Sequence, residues 1–301
     1  MEGMMKRVLL LATALCLGGT AAAQQPQAPA FTRPDNPAIP TYDSGQGQGN
    51  GPIPQAALKA SPRKASWVDI KMADGTVIKT WMVEPAGAGK AGVVIVIHEI
   101  FGLTDWVRAV ADQVAADGFI ALAPDLLSGM GPNGTGSAEL GTQGSTQAIR
   151  NLTVDVRNPR LNAVMDYGKK LPRSNGKTGS VGFCWGGGTS LTFAIGQPAL
   201  DAAVMYYGPA PTAAGSPTPD LSGLASIKAP ILALYGGSDN RVTSTAQPIA
   251  DEMKKLGKPF EFHVYDGAAH GFVRAQTTEA NYKATAESWP VVVAFFKDKL
   301  K

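Results

Sequence analysis

The sequence predicts an α/β fold in which a mainly parallel sheet carries helices on both faces. Residues 93–97, Val-Val-Ile-Val-Ile, form an unbroken β-branched run, the mark of a strand buried on both sides. From there to the C-terminus, strand and helix patterns alternate. At 301 residues, with 44% hydrophobic and 17% charged, the chain can bury one large core of this kind or two small ones, and it is neither disordered nor fibrous.

Taken in order, residues 1–23 read as a cleavable export signal. Lys6 and Arg7 supply the positive start, residues 8–17 an apolar run, and Ala21-Ala22-Ala23 the small residues a signal peptidase accepts. The run is short for a membrane span. Cys16 follows Leu15, where a lipid-attachment signal wants a small residue. Cleavage after Ala23 would put the protein in the periplasm or outside the cell, without stable membrane insertion. It would leave Cys184 as the only cysteine, so no internal disulfide could form. Residues 24–62 are rich in Pro, Gln and Gly, including Ser44-Gly-Gln-Gly-Gln-Gly-Asn-Gly51, and read as a tether or an arm laid over the domain, carrying no chemistry. The α/β domain is expected over 63–301.

Within it, residues 67–72 and 76–83 flank Asp74-Gly75 and read as a hairpin. After the buried run come a helix over 105–117, a strand over 119–123 and a Gly-rich loop over 128–144. A long helix fits 146–171, with Pro159 expected to kink or divide it. Strands are then expected at 178–183, 202–207, 231–235 and 260–265, and helices at 186–195, 246–256 and 282–299.

Charge and composition exclude several classes. Lys+Arg 27 against Asp+Glu 24 gives +3, too little to imply a nucleic-acid partner. Two cysteines rule out a Cys-built zinc site, and the three histidines have no metal-site spacing. No metal or cofactor is expected.

Gly182-Phe183-Cys184-Trp185-Gly186 has the Gly-x-nucleophile-x-Gly form between a strand and a helix. The nucleophile of such a turn is strained, so small residues are needed two before and two after it. The following helix points its N-terminus at the sulfur, which favours thiolate. Asp239 lies in the loop after one later strand and His270 in the loop after the next. Both loops leave strand C-terminal ends, where open α/β sheets collect ligands. Nucleophile, acid and histidine thus follow the order of an α/β-hydrolase, with His270 moving the proton and Asp239 holding its tautomer. Asp239 alone could be an ordinary turn aspartate. The amides of Ile100, after the buried strand, and Trp185 are placed to form an oxyanion hole. His98 reads as a structural histidine, and His263 receives no role.

These residues carry a family resemblance. His98-Glu99-Ile100-Phe101-Gly102, Ala123-Pro124-Asp125-Leu126, the Cys184 turn, Asp239 and His270-Gly271-Phe272 resemble the dienelactone hydrolase family (carboxymethylenebutenolidases), from about residue 67 to the C-terminus. The resemblance implies a Cys184–His270–Asp239 triad, with Glu99 facing the thiol at rest as an auxiliary acid–base residue. It implies substrate contacts from Phe101 and Arg274. The family's dienelactone specialists hold the substrate carboxylate with two arginines. Arg274 matches one, but Leu127-Ser128-Gly129 has none where the other belongs; Arg150, Arg157 and Arg160 are the alternatives. The expected function is therefore cysteine-dependent hydrolysis of a small ester or lactone. Two alternatives remain: a broad-specificity periplasmic esterase or thioesterase, and a non-catalytic binding protein on the same scaffold. Only the enzymes require a reactive Cys184.

Overall fold

A computed structural model describes residues 31–44, 48–212 and 218–301. The export signal read over 1–23 and the start of the arm lie outside the described residues. Eight strands form one sheet: β1 (Ala65–Lys71), β2 (Val77–Val83), β3 (Ala91–Ile97), β4 (Ile120–Pro124), β5 (Ser174–Phe183), β6 (Ala202–Tyr206), β7 (Ile231–Gly236) and β8 (Phe260–Tyr265). Their spatial order is β1-β2-β4-β3-β5-β6-β7-β8. The hairpin pairs antiparallel, β2 joins β4 antiparallel, and every other pairing is parallel. The β-branched run of β3 is fully buried, as its composition requires.

Helices cover both faces. On one, α2 (Asp105–Ala116) and α8 (Glu279–Lys299) bring Trp106, Val110, Trp289 and Phe296 against Val94 and Val96. On the other, α4 (Val154–Lys169), α5 (Trp185–Gly196) and α7 (Ala246–Lys255) bring Leu161, Leu191 and Ile249 against Ile95 and Leu122. Because successive β3 side chains face opposite ways, this one strand feeds both cores. Among the described residues, no helix is long and apolar enough to cross a membrane.

Several elements differ from the expectation. The Gly-rich segment contains the start of a helix, α3 (Ser137–Ala148). Asp125 anchors it: its carboxylate accepts the Ser137 amide at 2.8 Å and the Ser137 hydroxyl at 2.5 Å. The long helix expected over 146–171 is divided at 149–153, ahead of Pro159. Buried Leu152 is non-helical at φ −87°, ψ 69°, and Arg157 Nη1 donates to its carbonyl at 3.1 Å. Pro159 sits inside α4. In the arm, α1 (Pro52–Ala60) starts with Pro at its first position and packs on α2, a neighbour that supplies what the arm's composition lacks. A short helix, α6 (Asn240–Thr243), follows Asp239 directly.

Candidate active site

Cys184 sits between the last residue of β5 and the first of α5 at φ 56°, ψ −120°. Non-glycine residues with positive φ are uncommon, and this backbone conformation is strained. The crowding that demands small neighbours is explicit. A Cβ on Gly182 would lie 1.9 Å from the Gly186 carbonyl oxygen, and one on Gly186 would lie 2.4 Å from the His98 oxygen. The turn is tied down by the Cys184 amide, which donates to Tyr206 O at 3.1 Å.

Asp239 ends the turn after β7 and His270 lies in the turn after β8. The two meet across adjacent parallel strands: the His270 Nδ1–H donates to Asp239 Oδ2. The Asp239 side chain is buried, whereas that of His270 is about one-third exposed, at 32%. The ring packs edge-on against Tyr207, with centroids 5.1 Å apart. The histidine turn is braced by α8, where Asn281 accepts the Ala269 amide at 2.9 Å and donates to Ala275 O at 2.7 Å.

Electrostatics at the sulfur differ from the expectation. Burial, followed by the nearby Glu99 charge, pushes the Cys184 thiol up to about 11. The hydrogen bond from the Trp185 amide and the charges of Arg241 and Arg274 pull the other way without prevailing. The resting thiol is protonated, so a helix N-terminus alone does not make a thiolate here. In consequence, alkylation of Cys184 by iodoacetamide should rise roughly tenfold per pH unit between pH 7 and 10, following the thiolate fraction. Mass spectrometry of the labelled peptide checks this, and a plateau below pH 9 would contradict it.

Glu99 is buried, and its Oε2 accepts from Arg274 Nε at 2.6 Å. Burial pushes the Glu99 carboxyl up and Arg274 opposes this. Its charge reaches the Cys184 thiol while its hydrogen-bond partner is the arginine. The Arg274 guanidinium lies 5.3 Å above the Phe101 ring. The two residues read as substrate contacts therefore stack on each other, with Glu99 as Arg274's ionic partner.

Ile100 follows Glu99 in the turn after β3. Its amide donates to no oxygen among the described residues, while the Trp185 amide faces the sulfur. The turn is held from two sides. Buried His98 donates from Nδ1 to Glu99 O at 2.7 Å and accepts the Leu126 amide on Nε2 at 3.3 Å, so it is a neutral structural histidine. The Leu103 amide donates to Ser137 Oγ at 3.0 Å. His263 pairs with Glu261 on β8, at 2.7 Å.

None of the three alternative arginines pairs with Arg274. Arg160 donates to Leu126 O and Ser128 O at 2.7 and 2.8 Å, Arg157 lies 5.6 Å from the Trp185 ring, and Arg150 is exposed. Three residues escaped the sequence reading. Tyr207, the residue after β6, carries no motif. Arg241, whose charge reaches the thiol, follows Asp239 by only two positions, and that adjacency was the available signal. Asp43 lies in the arm, where composition pointed away from chemistry.

Known proteins give this geometry its context. The model of the dienelactone hydrolase family matches residues 78–300. A Synechocystis protein is 30% identical over 253 residues, covering 78% of this chain and 99% of its own. A carboxymethylenebutenolidase of Pseudomonas putida is 29% identical over 223 residues, covering 73% and 89%. Among solved structures, one from Klebsiella pneumoniae superposes with a TM-score of 0.68 at 24% identity, covering 78% of this chain and 98% of its own. The dienelactone hydrolase of Anabaena variabilis gives 0.59 at 21%, covering 79% and 99%. At those identities the structures speak to the fold, which is that of the α/β-hydrolases. With the family model spanning β3 to β8 and all but the first residue of β2, the chain belongs to the dienelactone hydrolase family and is an ester-hydrolysing enzyme.

Proposed function

We propose that Cys184 is the nucleophile of a cysteine-dependent hydrolase acting on small esters or lactones. The observation that carries this reading is the His270–Asp239 hydrogen bond, formed on the same sheet end as the strained Cys184 turn. His270 Nε2 takes the thiol proton as Sγ bonds to the substrate carbonyl carbon, and Asp239 holds the Nδ1–H tautomer and steadies the imidazolium. The amides of Ile100 and Trp185 receive the oxyanion. Collapse breaks the C–O bond, and His270 returns its proton to the departing alkoxide, which stays tethered if the substrate is a lactone. Water, deprotonated by His270, then attacks the thioester and releases acid and Cys184. Glu99, buried with its carboxyl pushed up, is an auxiliary acid–base group near the sulfur.

The protonated resting thiol supports an enzyme that generates its nucleophile only when substrate is seated. A kinetic screen of purified protein against lactones, aryl esters and thioesters, with Cys184→Ala as control, tests the reading. Preference for thioesters would favour the broader esterase or thioesterase alternative. Absence of turnover on all three classes, with Cys184 unreactive, would favour a binding protein.

We also propose that the protein is exported, on the strength of Lys6, Arg7, the apolar run and Ala21-Ala22-Ala23. Protein recovered from the periplasm or medium should begin at Gln24 on N-terminal sequencing. A cytoplasmic product starting at Met1 would overturn this.

A further inference from the structure

The arm is bound between the turn that follows His270 and α2. Gln276 Nε2 donates to Pro40 O at 2.9 Å, the Asp43 amide to Arg274 O at 2.9 Å, and the Trp106 indole N–H to Thr41 O at 2.9 Å. Among the described residues, no hydrogen bond of the arm reaches β8. That strand is the last in the sheet and pairs only with β7.

The ladder fixes which groups of β8 are left over. The Ile231 amide donates to Pro259 O at 3.1 Å and the Gly237 amide to Tyr265 O at 2.8 Å. Alternation between these two bonds turns the backbone groups of Glu261 and His263 toward β7, and those of Phe260, Phe262 and Val264 away from it. Among the described residues, none of these three is bonded through its backbone to a turn, loop or helix. Proteins blunt such an edge with proline, a bulge or charge. Strand β8 has no proline, its register with β7 is unbroken, and Val264 is 42% exposed. Its one acid, Glu261, lies two positions before His263 and is bonded to it at 2.7 Å. Helix α8 leaves room beside the edge. Hollows of about 340 and 570 Å³ open there, the first lined by Tyr265 and Lys283, the second by Phe260, Val291 and Phe295.

Read antiparallel to itself, the strand is self-complementary. Outward groups must meet outward groups, so a two-fold axis has to pass through a residue and not between residues. With the axis on Phe262, Phe260 of one copy falls opposite Val264 of the other, and Phe262 opposite Phe262. Glu261 then falls opposite His263 at two symmetric points. All three outward residues are paired, and each pair exchanges two hydrogen bonds. An axis on Glu261 would set acid against acid, and one on His263 would set Glu261 against Tyr265. We infer that β8 pairs antiparallel with β8 of a second copy of this chain, giving a two-fold dimer with one continuous sheet. The paired strands run in opposite directions, so the two His270 turns lie at opposite rims of the joined sheet. The pairing is independent of the role of Cys184.

Sedimentation equilibrium of the purified protein at micromolar concentration should give twice the mass of one chain. Glu261→Lys faces a cation with histidine and His263→Glu faces acid with acid, each at two points. Each variant should raise the dimer dissociation constant about tenfold. Mixed in equal amounts, the two variants restore opposite partners at both points, and heterodimers should form with near-wild-type affinity. Mixing cannot mend a merely structural loss. Val264→Pro removes one outward amide, leaves the bonds to β7 in place, and should yield monomer. Circular dichroism should show the variants folded, and if Val264→Pro is not, the charge variants still decide. A monomer at every concentration up to about 100 μM overturns the inference. So does a dimer unmoved by Glu261→Lys and His263→Glu, or a mixture of the two that fails to associate.

Discussion

Cys184→Ala should lower kcat/KM by about four orders of magnitude or more, and His270→Ala by a comparable factor, with the double variant scarcely worse than either. The non-additivity is the informative part. The sulfur here is protonated at rest, pushed up to about 11, so without His270 the nucleophile keeps its proton at neutral pH. Without the sulfur, the histidine has no thiol proton to accept. Asp239→Asn should also be severe, because an amide in place of Oδ2 can turn its NH₂ toward Nδ1 and favour the wrong tautomer. Thermal melts of the three single variants should stay near the wild type, since the Cys184 side chain carries no structural bond that the fold depends on. Near-wild-type turnover by Cys184→Ala would refute the mechanism outright.

Gly182→Ala should have the largest effect on stability. The added methyl would sit 1.9 Å from the Gly186 carbonyl oxygen and 2.3 Å from its carbon, and both belong to backbone that cannot rotate away. Relief requires β5 and α5 to separate, and α5 packs onto the centre of the sheet through its buried Leu191 and Phe193. A loss of about 4 kcal/mol or more, or failure to accumulate folded protein, is expected. Gly89→Ala is the control, because a Cβ there meets nothing within 4 Å, and its urea midpoint should stay within about 0.5 kcal/mol of the wild type. If Gly182→Ala unfolds like Gly89→Ala, the turn is not close-packed as described.

The sheet and the Cys184, Asp239 and His270 positions were legible because each is encoded locally. A β-branched run marks a buried strand, a pair of glycines brackets a crowded turn, and loops after strand ends fall on one rim. What escaped is encoded through space. Nothing near Asp43 in sequence says that its amide will donate to the carbonyl of Arg274, over two hundred positions away. The pairing of Glu99 with Arg274 joins two turns from opposite ends of the domain, and its competition with the thiol for the Glu99 charge is a property of burial, not of spacing. Helix α3 was hidden for a different reason. Its glycines argue for a loop, and the capture of Ser137 by Asp125 outweighs that local preference.

The path of the arm has a consequence for how the chain assembles. Residues 33–43 are synthesised well before their docking partners Arg274 and Gln276, which follow more than two hundred positions later. Every bond between residues 33–43 and the His270 turn therefore waits on the synthesis of residues 274–276. The parallel pairings of β3, β5 and β6 involve only earlier residues and are free to form before it. Docking of the arm is thus the later step, and its reversal is expected to precede opening of the sheet. Hydrogen exchange should register this as amides of Asp43 and Gly49 that trade with solvent well before those of β3. The side of the active site that faces Arg274 would then be renewed and exposed on a faster clock than the sheet beneath it.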